Sequence, residues 1–291
     1  MTAAARSSIF HPLAILPAAI WGGTWIALKI SHMGGTEFAF ARSFFGGVAL
    51  FGVAALLGRR IAIPGRLVPT MILMSLTFGA FFGLAFTGAE RLPAALGSLL
   101  GNIAPISTLV LAALFLRERP TLKQIAGIAL AFAGVCVIAF PKLGHVADLV
   151  AIGLMLAGAF MQSVNTICMK RAILQDQIVV NAFQCTFGGL AILAYLFATG
   201  SFRPIEPTAP VIGSIVYVAL LATALANLLW SRALTLFTAS TASLIIFMAP
   251  VFGHVWSWLI LHEPVDPFEV AGAAMVIAGM AVSVPRPDKE P

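Results

Sequence analysis

The chain has 291 residues, 60% of them apolar and only 10% charged, with 17 basic against 11 acidic side chains and a net charge of +6. That leaves too little polar surface to coat a soluble globule, so the expected solvent is a lipid bilayer and the fold class an all-α integral membrane protein. The basic residues are scattered singly between apolar runs, not gathered on one face, which argues against nucleic acid as a partner.

Runs long enough to span ~30 Å of hydrocarbon as helices lie at 12–31, 36–57, 68–88, 92–116, 122–140, 147–170, 178–199, 209–231, 238–261 and 267–284, predicting ten transmembrane helices. The first run has a thin basic lead, Arg6, and continues to Lys29 without a clear cleavage site, so it is expected to stay as a helix. With a cytoplasmic N-terminus, inner segments hold 12 Lys and Arg and outer segments only Lys29, Arg91, Lys142 and Arg203. By the positive-inside rule both termini face the cytoplasm, in a bacterial-type plasma (inner) membrane. Arg42 falls inside the second run near its outer end, where snorkelling is expected.

The first span carries IWGGTWIALK, which contributes Trp21 and Trp25. From the fourth span into the fifth the chain reads PISTLVLAALFLRERPTLKQIAGIALAFAG, and the ninth and tenth read PVFGHVWSWLILHEPVDPFEVAGAAMVIAG. Pro105 and Pro250, Glu118 and Glu263, Gly127 and Gly272, and Gly134 and Gly279 are each 145 positions apart. Lys29 with Lys170, Phe40 with Phe183 and Gly46 with Gly189 extend the match, at offsets that drift only through loops. The chain is therefore two five-helix repeats, 12–140 and 147–284. Five is odd, so the second repeat enters the membrane in the opposite sense. Such inverted repeats suit a transporter, because each half can adopt the other's conformation and so exchange inward-open for outward-open states.

IWGGTWIALK, the P-x12-E that closes the fourth and ninth spans, and the A-G-x6-G of the fifth and tenth resemble the EamA domain, two copies of which form the ten-helix exporters of the drug/metabolite transporter superfamily. The resemblance implies a permease, often exporting amino acids or related metabolites, with a central cavity and no prosthetic group. The sixth span departs from the pattern, since FMQSVNTICMK lacks the tryptophans of its counterpart.

Within the spans, hydrogen-bonding side chains are few: Trp21 and Trp25, Ser98 and Asn102, Gln162, Ser163 and Asn165, Asn227 and Trp230, and His254, Trp256 and Trp258. Intramembrane polar groups tend to face the bundle interior, which makes Trp21, Trp25, Ser98, Asn102, Gln162, Asn165, Asn227, Trp230 and His254 candidate substrate contacts. Ser and Asn also serve as interhelical glue, and Trp as an interfacial anchor. His254 could carry a coupling proton or simply pack. Pro105 and Pro250 each remove a helix hydrogen bond, freeing the carbonyls of Gly101 and Ile246, and are candidate hinges or packing kinks. Glu118 and Glu263 are read first as interfacial anchors that cap the following helix or fix a corner, and second as gates. The glycine pairs Gly79/Gly83 and Gly97/Gly101 fit internal helix packing, leaving monomer or homodimer open.

All 11 acidic residues lie in loops, tails or span ends, so no buried carboxylate awaits an organic cation. Neutral or zwitterionic solutes fit the Trp, Phe, Asn and Gln inventory better. Cys136, Cys168 and Cys185 have no metal or disulfide spacing. Nucleotide-binding and hydrolase motifs are absent, so no catalytic residue, metal or cofactor is expected. The sequence reads as an exporter of amino acids or small zwitterionic metabolites, with a multidrug or nucleotide-sugar transporter, and then a non-transporting receptor, as alternatives.

Overall fold

The computed structural model describes residues 12–92, 100–140, 148–262 and 265–283. The described residues form helices and connecting turns, with no strand among them. In chain order the elements are α1 (Pro12–Gly22), α2 (Thr24–Ser31), α3 (Gly35–Leu56), α4 (Val68–Ala89), α5 (Ala104–Phe115), α6 (Leu122–Ala139), α7 (Leu149–Arg171) and α8 (Gln177–Ala198). There follow α9 (Ala209–Val216), a π-helical stretch (Tyr217–Leu225), α10 (Ala226–Leu236), α11 (Ala239–Ser243), a 3-10 stretch (Leu244–Phe247), α12 (Met248–Leu261) and α13 (Pro267–Ser283). Seven helices are long and apolar enough to cross a membrane, and Ile15–Ser31, Ala104–Phe115 and Pro267–Ser283 are shorter apolar helices.

Polar contacts collect at the two ends of the bundle. At one end the Glu90 carboxylate accepts from the Gly35 N–H, Glu37 accepts from the Arg203 N–H at 3.0 Å, and Arg91 pairs with Asp148 at 2.7 Å. Asp148 caps α7 through the Ala151 N–H; that bond, with Arg91 beside it, holds its carboxyl below the ordinary aspartate range. At the other end Arg59 approaches Asp176 at 3.7 Å, and Lys170 donates to the carbonyls of Leu234 and Phe237 at the end of α10.

Packing repeats across the two halves. The first span packs on the ninth as the fourth packs on the sixth, the first on the eighth as the third on the sixth, and the second on the eighth as the third on the seventh. The second and seventh spans, and the fifth and tenth, pair with each other directly. In the latter pair, α6 against α13, a Cβ on Gly134 would lie 2.6 Å from Gly272 O, and one on Gly279 would lie 2.5 Å from Gly127 O. The A-G-x6-G of one repeat thus grips that of the other, backbone against backbone. Of the glycines expected to serve packing, Gly79 has no room for a side chain, since a Cβ there would lie 2.6 Å from Gly188 O, whereas a Cβ on Gly83 or Gly101 would meet only ordinary contacts, and Gly97 lies outside the described residues.

The repeat extends to backbone conformation. Arg117 and His262, 145 positions apart, both take left-handed φ, at 56° and 53°, where the fourth and ninth spans end. Glu118 then reaches across the halves rather than capping its own following helix: Oε1 accepts from Ala239 N at 2.7 Å, and Oε2 from Ser240 N at 3.1 Å and Ser240 Oγ at 2.7 Å, so it caps α11. The helix after it, α6, is capped instead by Thr121 and Gln124 in a reciprocal box. Glu263 lies outside the described residues.

Candidate substrate cavity

Four irregularities in the helices converge on one place. The first span breaks at Gly23, between α1 and α2, where the Tyr217 hydroxyl packs close and donates to Ile20 O at 2.6 Å. Gly22 beside it is needed as glycine, because a Cβ there would come 2.7 Å from Gly253 N of α12. The fourth span turns at Asn102–Ile103 just before Pro105, the second residue of α5. The ninth span tightens into its 3-10 stretch just before Pro250, the third residue of α12. The irregularity expected near each proline is therefore a turn in one repeat and a change of helix type in the other. The eighth span widens into the π-helical stretch. Irregular backbone at membrane depth persists only where protein or a water-filled cavity satisfies it.

The space these breaks enclose measures ≈ 1150 Å³, open solvent at its mouth included. Trp21, Trp25, Asn102, Gln162, Asn165, Asn227, Trp230 and Pro250 line it. Both halves supply aromatic walls: Trp21 and Trp230 lie 5.8 Å apart between ring centroids, Trp25 and Phe86 5.3 Å. Trp230, from the eighth span, thus provides the second tryptophan that the sixth span lacks. Trp21 Nε1 donates to Ala222 O at 2.9 Å, a carbonyl of the π-helical stretch.

Two candidates stand elsewhere. His254 is not part of the cavity wall, and its Nδ1 lies 3.1 Å from the buried carboxylate of Glu269 at the start of α13. Pro105 is buried but outside the lining. Ser98 lies outside the described residues. Ser163 acts as glue, donating to Ala104 O at 2.8 Å, as does Trp256, whose Nε1 donates to Ala19 O at 2.8 Å, and Trp258 is exposed.

Two features escaped the sequence reading. Arg42 does not snorkel: it is 3% exposed and lines the cavity, its Nε donating to Thr223 Oγ1 at 3.2 Å and Nη2 to Ala222 O at 3.1 Å, with the guanidinium 4.3 Å from the Phe82 ring centroid. The second is an amide chain. Asn165 donates to Gln184 at 3.1 Å, Gln184 to Asn181 at 2.7 Å, and Asn181 to Ser231 at 2.9 Å, tying the sixth, seventh and eighth spans together behind the cavity. Gln184 also lines the cavity. The sequence signal was the spacing of Asn181 and Gln184, two amides three apart on one helix face in a largely apolar span.

The model of the EamA-like transporter family matches this chain twice, over residues 9–140 and 149–284. The chain belongs to the EamA-like transporter family. It is a multi-pass membrane transporter of the drug/metabolite transporter superfamily. Relatives in this family include the uncharacterized transporter YvbV of Bacillus subtilis, 28% identical over 90% of this chain and 87% of that protein. A probable terminal-alkyne amino-acid exporter of Streptantibioticus cattleyicolor is 29% identical over 91% of this chain and 90% of that protein. A probable amino-acid metabolite efflux pump of Salmonella typhimurium is 28% identical over 94% and 93%. A solved crystal structure, only 16% identical, shares the fold of this EamA-like chain with a TM-score of 0.82, over 93% of this chain and 94% of the other.

Proposed function

We propose that this chain exports amino acids or closely related small zwitterionic metabolites through the inner membrane by alternating access, as ten spans with both termini cytoplasmic. The observation that carries the reading is the cavity, walled by Trp21, Trp25 and Trp230, supplied with amide groups by Asn102, Gln162, Asn165, Gln184 and Asn227, and formed where helices of both repeats are broken. An aromatic wall takes up the apolar part of a metabolite, and amides and Arg42 take up its polar end. Among the described lining residues there is a cation and no carboxylate, which disfavours organic cations and so a multidrug pump. The names of the Streptantibioticus and Salmonella relatives point the same way.

Pro105 and Pro250 serve in this reading as the flexible points of the fourth and ninth spans, and Glu118 and Glu263 as latches at opposite ends. In the present conformation Glu118 holds α5 to α11 at the proposed cytoplasmic end. Efflux from proteoliposomes loaded with a mixture of amino acids, followed by mass spectrometry, tests the reading. Export of a subset at rates above empty liposomes supports it, and retention of every amino acid by active-oriented protein refutes it.

A further inference from the structure

Arg42 is a buried cation facing a cavity, and its own environment leaves it incomplete. A guanidinium has five N–H donors, of which Nε–H is given to Thr223 Oγ1 and one Nη2–H to Ala222 O. Its face rests on Phe82. The remaining N–H groups have no acceptor among the described residues, and no carboxylate there lies within ion-pairing distance of it. A charge in a membrane interior is ordinarily paired, because taking it from water without a counter-ion is expensive. In the wall of the same cavity the Thr24 hydroxyl, 4% exposed, has no hydrogen-bond partner.

The fixed half of Arg42 is held firmly. Ala222 O accepts from both Arg42 and Trp21, and it belongs to the π-helical stretch, so the irregular backbone orients the guanidinium and an aromatic wall together. A planar fork with free donors, braced on an aromatic ring, matches a carboxylate.

We infer that Arg42 is the anchor for the carboxylate of the transported solute, with the Thr24 hydroxyl as an auxiliary donor, so that the substrate class is carboxylate-bearing metabolites. This rests on the amino-acid export reading and narrows it: the solute's acid group completes an ion pair that the protein leaves half made. The neighbouring Trp21, Trp25 and Phe86 then receive the apolar remainder. Phosphorylated solutes are an outcome of the test.

Two measurements decide it. In detergent, quenching of tryptophan fluorescence by 3-phenylpropionate is compared with that by 3-phenylpropanamide, which differs only in losing the charge. The acid should bind about tenfold or more tightly than the amide, R42M should lose the acid's advantage, and R42K should keep part of it. Melting curves of the variants show whether they fold, and R42K keeps the comparison valid if R42M does not. Equal binding of acid and amide, binding of neither, binding of inorganic phosphate in preference to the acid, or an acid preference that survives in R42M overturns the inference. In proteoliposomes, the same pair of variants is tested with mixed amino acids and their carboxamides inside. Faster efflux of acids than amides in parental protein and not in R42M supports the inference. Carboxylate-dependent quenching without any efflux would refute the export reading alone, while efflux of amides as fast as acids would refute the Arg42 anchor alone.

Discussion

Gly134 of the fifth span and Gly272 of the tenth face each other with no room for a side chain: a Cβ on Gly272 would lie 2.5 Å from Gly134 O, and one on Gly134 would lie 2.6 Å from Gly272 O. The contact joins one repeat to the other in an antiparallel pair. Bringing two backbones this close gains van der Waals contact where lipid offers no hydrophobic drive between helices. Gly272→Ala should therefore cost about 1–3 kcal/mol, beyond the small gain in helix propensity. Gly52→Ala, where nothing lies within 4 Å of the added Cβ, should be neutral or stabilising by about 0.5–1 kcal/mol. Melting temperatures in detergent separate the two, and equal behaviour would remove close packing as the reason for the repeated motif.

Glu118 makes three hydrogen bonds to Ala239 and Ser240 across the two halves. Breaking them should loosen that end of the cavity without damaging the fold, since the helix end it caps is short. For Glu118→Ala a loss on the order of 1–2 kcal/mol is expected. A cysteine at Asn102 should also become more reactive from the cytoplasmic side. Unchanged sidedness of labelling would make Glu118 an anchor only.

Pro105 and Pro250 differ in what an alanine could restore. Before Pro105 the chain is already turned at Asn102–Ile103, whereas before Pro250 it is helical and Ile246 O sits four residues back. Pro250 also lines the cavity and Pro105 does not. Pro250→Ala is thus expected to slow efflux more than Pro105→Ala does, with stability changed by no more than about 1 kcal/mol in either. The reverse ranking in a proteoliposome assay would count against Pro250 as a moving point.

Orientation is testable without a substrate. Single cysteines at Gly200, in the turn after α8, and at Gly65, before α4, lie at opposite ends of the bundle. With cytoplasmic termini the first should react with an impermeant reagent added to whole cells and the second should not. Opposite labelling would reverse the proposed topology and make Glu118 an outer latch.

Much of the architecture was legible in one dimension. Apolar runs reveal helices because lipid demands that each backbone group be satisfied within its own segment. A constant offset of 145 between Pro105 and Pro250 and between Gly134 and Gly279 reveals duplication, and an odd span count its inversion. Many of the cavity residues were legible too, since intramembrane Trp, Asn and Gln are rare enough to stand out. Arg42 was misplaced, because its position near the end of the second span fits both a snorkelling side chain and one turned inward. The choice between them depends on which neighbours offer Thr223, Ala222 O and the Phe82 ring. For the same reason Glu118 and His254 found their partners, Ser240 and Glu269, on helices more than a hundred residues away and in the adjacent span respectively. Periodicity and hydropathy describe what a segment needs from its surroundings; only the packed bundle decides which distant segment supplies it.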